Sequence, residues 1–403
     1  MVSMQGPRSS SSSILPEQCH AGRESNRLCC DAPHRRHPRR RPPPLAMLAA
    51  NATPFAALGF EQKHRDGAAM AVVAARGTLL LSPEGRLSIA PDQSLILADE
   101  YEGDPHATPM LRVGLLIPFK PAADVTLLAD GHAPGGVAAH VWQVGARVGE
   151  YTRFLRAYAP RAFEPDAGGF RLSTGEPAAR ASIDYRSAAG GVVIGDPEGN
   201  VDARNPIGRG VLDRRHTPAD RAYPAPTIDS EAEPVGDPAA RPEPQGFGPV
   251  PPWWQFRSRF AGTYDDAWLA TRHPQLPADF DYRFYQTAHP GLVLPGHLRG
   301  DERVELQGLT PGGGALAFTL PGHSLWAWFK WERGRRVPVR LHLDGMHIDV
   351  RGEPPWSVQL TWRAWVAMSQ GFDRIDLAAA SLEEAAALPW CDERGLVSPG
   401  SDA

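Results

Sequence analysis

The 403-residue chain has little cysteine: Cys19, Cys29 and Cys30 fall near the start, Cys391 near the end, and none lies between. No disulfide framework can therefore hold the body of the protein together. Charge of one sign is lacking as well. Forty-two Lys and Arg against 46 Asp and Glu leave a net charge of -4, which provides no general basic field for gripping a phosphate backbone, so nucleic acid is not an expected partner. No stretch approaches the roughly 20 apolar residues of a membrane span, and no membrane partner is expected. Catalytic signatures are missing too: there is no G-x-S-x-G and no H-E-x-x-H. "TPGGGALAF" (Thr310 to Phe318) has glycines without a following Lys-Ser/Thr, which makes it a hairpin turn rather than a phosphate cradle.

What is abundant is proline (41) and glycine (40). Both interrupt helices, so many short elements joined by turns are expected. The expected class is mainly β, with two β-rich, sandwich-like units packed together, long irregular loops and a few short helices. The first unit is placed at 53–174. Its "MAVVAARGTLLL" (Met70 to Leu81) is apolar on both faces, as a strand covered on both sides must be; "RLSIA", "DVTLLADG", "VAAHVWQVGARV" and "FRLST" follow, separated by Pro, Gly and Asp. Residues 175–252 read as a Pro/Gly-rich loop segment, 253–385 as the second β-rich unit, and 386–403 as a flexible tail.

Residues 1–46 have a Ser run, the stretch "HRRHPRRRPPP" and eight Arg against three acids. So little apolar surface cannot offset the entropy of ordering, and a disordered basic tail is expected. Met47 is an alternative start. Cys19, His20, Cys29, Cys30, His34 and His37 match no zinc-finger or ribbon spacing. The apolar run after the twin arginines is short and led by Pro42 to Pro44, which is not the make-up of an export signal. A cytoplasmic location is expected.

In "VPVRLHLDGMHIDVRG" (Val337 to Gly352), apolar residues alternate on both sides of Asp344-Gly345. That pattern predicts a hairpin with a two-residue turn, placing His342 opposite His347 and Arg340 opposite Asp349. The paired histidines, with Asp344 or Asp349 near, suggest a metal pair, but spacing fixes no third ligand; no metal or other cofactor is expected.

The densest cluster of reactive side chains is "AGTYDDAWLATRHPQLPADFDYRFYQTA" (Ala261 to Ala288). Asp265 and Asp266 are N-caps for a short helix over "AWLATR", and His273-Pro274 stops it. "DFDYRFY" alternates as a strand, with Phe280, Tyr282 and Phe284 on one face and Asp279, Asp281 and Arg283 on the other, where Asp281 and Arg283 can pair. Pairing lowers a carboxyl pKa, which is wrong for a general acid. A catalytic use of Asp266, His273, Asp279 or Asp281 has no partner motif to supply a nucleophile or an oxyanion hole. The eleven tryptophans, eight of them in "PPWWQF", "HSLWAWFKW" and "PWSVQLTWRAWVA", read as core by default, with a sugar platform or partner surface as alternatives.

Taken together, "GFGPVPPWWQFRSRFAGTYDDAWLATRHPQLPADFDYRFYQTA", "LRGDERVELQGLTPGG" and "FTLPG" resemble the core signature of a bacterial domain-of-unknown-function family, number twenty-one sixty-nine, associated with type VI secretion. Further matches in the same order are "TPFAALGFEQKHRDG", "FKPAADVTLLADGHAP", "NPIGRG" and "VQLTWRAW". The resemblance implies a non-enzymatic adaptor or chaperone, which binds a cognate effector (a PAAR-type protein or a neighbouring toxin) and helps to load it onto the VgrG spike. It carries a set of motif residues, structural or partner-binding: Asn205, Pro206, Gly208, Gly210, Gly262, Thr263, Tyr264, Asp265, Trp268, Pro277, Asp279, Phe280, Asp281, Trp362 and Arg363. Most are expected to be architectural, with specificity in loops such as 175–200 and in exposed members of the Trp-rich segments. "IDYRSAAGG" and "APTIDSE" depart from the family's pattern. From a different class, the alternative is a β-sandwich hydrolase or carbohydrate-binding module using the Asp/His/Trp-rich region 253–285.

Overall fold

Met70 to Leu81 is apolar without alternation because it runs through the middle of a sheet that is covered on both faces. A computed structural model of the chain describes residues 47–400. The disordered tail expected at 1–46 lies outside the described residues, as do residues 401–403. The strands of the three largest sheets are, in chain order, β1 (Leu48–Asn51), β2 (Ala56–Lys63), β3 (Ala69–Leu81), β4 (Leu87–Ile89), β5 (Asp124–Leu128), β6 (Val141–Val148), β7 (Tyr151–Tyr158), β8 (Ile228–Asp229), β9 (Arg303–Gln307), β10 (Ala315–Thr319), β11 (Ser324–Trp331), β12 (Arg336–Arg340), β13 (His342–Asp349), β14 (Trp356–Ala367) and β15 (Phe372–Ala380).

The protein is mainly β, as expected, but its strands do not sort into an early and a late unit. A six-stranded sheet has the order β2-β3-β14-β13-β5, with β4 also on β3. In it β3 lies antiparallel to β14 from Met70 opposite Ala367 to Leu81 opposite Trp356, and β5 runs parallel to β13. A five-stranded sheet, β8-β7-β6-β9-β10, mixes early and late strands in the same way, while β1 joins the late strands in β1-β15-β11-β12. The largest hydrophobic cluster extends from Phe55 to Cys391, with two smaller ones around Phe163 and Trp254, and the described residues belong to one compact unit. The expected boundaries at 174 and 253 are therefore not domain boundaries, because alternation marks a strand without naming the strand it pairs with.

Asp344-Gly345 is not a turn. It lies inside β13, where the register against β14 shifts between Leu343 and Gly345, while β12 pairs with β11 in another sheet. The chain changes sheets at Leu341 and the Asp-Gly step forms a bulge, a second conformation that the same dipeptide serves. Consequently His342 stands opposite Arg363 and His347 opposite Gln359, not opposite each other.

"DFDYRFY" departs from expectation as well: Tyr282–Tyr285 is a 3-10 turn capped by Asp281, whose side chain accepts from the Arg283 amide. The short helix does form, as α1 (Asp266–Thr271), with the Asp265 carboxylate accepting from the Trp268 amide. "TPGGGALAF" turns between β9 and β10 as expected. Tryptophans 254, 331, 356, 362 and 365 are buried, whereas Trp326 and Trp328 are half-buried on one side of β11 and Trp253 is exposed. Residues 390–397, assigned to the tail from sequence, form a hairpin that buries Cys391. Among the described residues, no helix is long and apolar enough to cross a membrane.

Candidate functional site

The Ala261–Ala288 block is held together by its own carboxylates. Asp279 accepts from the Thr263 amide (3.0 Å) and hydroxyl (2.8 Å), and these bonds hold its pKa below the ordinary carboxylate value. Between them lies Gly262, at φ +79°, where a side chain would meet Pro277 Cβ at 2.8 Å and the Asp279 carboxylate at 2.9 Å. Asp281 pairs with Arg283 at 2.5 Å, as its spacing suggested. Burial pushes the Asp281 pKa upward, but hydrogen bonds from Arg283 outweigh it and the net shift is down. The Trp268 indole donates to Gln275 O (2.8 Å) and meets Tyr264 edge-on at 4.7 Å. Phe280 and Tyr282 are buried, and the Tyr282 hydroxyl accepts from the Arg65 amide, which ties the block to the turn between β2 and β3.

The "NPIGRG" residues make a second knot. Asn205 is fully buried, and its amide donates to Tyr185 O (2.8 Å) and Ala189 O (3.0 Å). Backbone passes so close that a side chain on Gly208 would sit 2.4 Å from Asn205 Nδ2, and one on Gly210 2.3 Å from Pro226 Cδ. Pro206 is half-buried at its edge.

Three separated motif segments converge on a row of charge that the sequence reading missed. Arg76, Thr361, Gly345 and Asp124 stand opposite one another on β3, β14, β13 and β5. Lys120, from "FKPAAD", reaches Asp124 Oδ2 at 2.6 Å, with both side chains almost wholly excluded from solvent. The same oxygen accepts from the Thr287 amide (2.5 Å) and hydroxyl (2.8 Å), and Oδ1 accepts from Gln286 Nε2 (2.7 Å). At the other side Arg363, from "VQLTWRAW", pairs with Asp344 at 2.5 Å. Its neighbour Trp362 faces away and stacks on Phe55 at 5.2 Å.

Arg76 is buried and donates from Nη2 to Val113 O (2.8 Å). Burial, aided by Arg363 and Arg112, pulls its pKa to about 10, so it stays charged at neutral pH. Burial also lowers Lys120, against the pull of Asp124. One signal could have exposed this row: Arg76 is a charge in the middle of an otherwise apolar, doubly covered strand, and such a charge must have buried partners.

The predicted histidine pair is dispersed. His342 stacks on His297 at 3.9 Å with Nε2 3.1 Å from Cys391 O, whereas His347 has Nδ1 2.9 Å from the Thr126 hydroxyl. Burial pushes His342 down to about 3 and His347 down to about 4. No group of three or more His, Cys, Asp or Glu among the described residues is placed to hold a metal.

Fold and motifs define a mainly-β protein whose signature residues tie together segments distant in sequence. The model of the family described as "Uncharacterized protein conserved in bacteria (DUF2169)" matches residues 66–363, a span that takes in both knots and the charged row. The chain belongs to that family. No curated protein matches it, and no solved structure does.

Proposed function

We propose that this protein is a non-enzymatic adaptor of the bacterial cytoplasm, which binds a cognate type VI secretion effector, either a PAAR-type protein or a neighbouring toxin, and helps to load it onto the VgrG spike. The motif resemblance supplies the role, and one structural observation supports it. Helix α1 has no buried residue and is held by its caps, and it stands beside Tyr264 and carries Leu269, 54 % and 59 % exposed. An aromatic and a large aliphatic side chain offered to solvent on a pinned element suit a partner's pocket. Asp265, Asp279 and Asp281 are engaged in structural bonds, and Asp279 and Asp281 have lowered pKa values, which suits a scaffold better than a general acid.

The test is affinity purification of the full chain from its native host with the secretion genes expressed, followed by mass spectrometry. The effector and VgrG are expected with the wild type, and their loss with a folded Tyr264→Ala/Leu269→Asp variant. Recovery of neither protein with the wild type would sink the adaptor reading. Undiminished recovery with the variant would move the contact surface away from α1.

A further inference from the structure

Four buried nitrogens at the charged row have no hydrogen-bond partner, Arg76 Nε and Nη1, Arg363 Nε and His347 Nε2, nor has one oxygen, Asp344 Oδ2, whose residue does not line the cavity beside Gly345. Eleven buried side-chain polar atoms are without a partner among the described residues, so more than a third of them belong to three residues around one opening. Guanidinium nitrogens can only donate. His347 Nδ1 lies 2.9 Å from the Thr126 hydroxyl, so its Nε2 is a donor only in the tautomer in which that hydroxyl donates to Nδ1. A buried donor with nothing to donate to is strongly disfavoured.

These three residues line a cavity of about 30 Å³. Gly345 makes the room, because it brings no side chain to the row between Asp124 and Thr361. The pocket is partly open to solvent, and its inner space suits a small occupant of about the size of a water. Charge distinguishes the remaining candidates. The buried cations are Arg76, Lys120 and Arg363 and the buried carboxylates are Asp124 and Asp344, three against two, which leaves one positive charge in excess. Arg112, also at the cavity, is already paired with Glu100 at 2.7 Å. A water satisfies the donors but leaves the excess charge uncompensated in a low-dielectric interior; a monovalent anion satisfies both.

We infer that the cavity beside Gly345 is a binding site for a single halide ion, chloride under ordinary conditions, held by N–H groups of Arg76 and Arg363. The ion locks β3, β14 and β13 across the row, so it acts as a structural ligand of the folded state. The site does not depend on which partner the protein has.

The experiment measures the thermal midpoint of the full chain in sodium chloride against sodium gluconate at constant ionic strength. Raising chloride from about 5 to about 500 mM is expected to raise the midpoint by roughly 4 °C, as for a ligand that binds only the folded state. Gly345→Ala, whose methyl group would make ordinary contact with Thr361 at 3.5 Å at the edge of the opening, is expected to fold and to weaken that response. Arg76→Met is expected to lose it, and crystals grown with bromide should show anomalous density in contact with Arg76 and Arg363. Equal midpoints in the two salts would overturn the site, as would an unchanged chloride response in Arg76→Met or a bromide-free cavity holding water.

Discussion

Arg363 on β14 and Asp344 in the bulge of β13 form an ion pair of 2.5 Å in which neither side chain exposes more than 2 % of its surface. The bulge supplies the extra residue on which the carboxylate is carried. A buried pair contributes little net stability but is costly to break from one side, because the remaining charge keeps its desolvation penalty. Asp344→Ala and Arg363→Met should each cost about 3–5 kcal/mol in urea denaturation. The double variant should cost clearly less than the sum, and strict additivity would show that the two charges do not depend on each other.

Asn205 is a clasp between segments 16 and 20 residues away in sequence. Asn205→Ala takes one donor from each of the Tyr185 and Ala189 carbonyls, of which Tyr185 O keeps the Ala188 amide, for a loss of roughly 2 kcal/mol. Gly208→Ala should be at least as damaging, since its new carbon meets Asn205 Nδ2 at 2.4 Å and Ala188 O at 2.9 Å. Both effects are read from denaturation midpoints; a Gly208→Ala protein as stable as wild type would show that the knot can open at no cost.

Stability should fall on mild acidification. Above about pH 6.5 His342 and His347 are neutral in both states. Below it the unfolded chain takes up protons at its ordinary histidine pKa, while the folded chain refuses them until about pH 3 and about pH 4 respectively. Each histidine thus removes up to about 1.4 kcal/mol per pH unit between those limits. Denaturation curves at pH 7, 6 and 5 check the slope, and His347→Gln should flatten it relative to wild type. A slope that is unchanged in that variant would mean His347 titrates normally in the fold.

Legibility of the sequence followed the range of the interaction. The strand at Met70 to Leu81, the Asp265 cap and the Asp281–Arg283 pair are set by residues within a few positions, and each was readable. Asp344-Gly345 was misread because turn and bulge share their local chemistry, and what selects the bulge is Arg363, 19 residues on. "DFDYRFY" alternates like a strand, yet no neighbouring strand receives it, and Asp281 captures the Arg283 amide instead. The charged row draws on four strands and two loops, so nothing short of the pairing could assemble Arg76, Lys120, Asp124 and Arg363 from the sequence. The motif residues were found by resemblance, but not their division into the Asn205 knot, the Asp279 staple and the buried arginine.

The pairing of β3 with β14 has a consequence for synthesis. Met70 emerges from the ribosome almost 300 residues before Ala367, its partner, and at typical elongation rates that is a wait of roughly 15–60 s. During that interval the most apolar strand of the protein has one edge without its final neighbour, and a chain cut short before Trp356 would keep that edge bare for its lifetime.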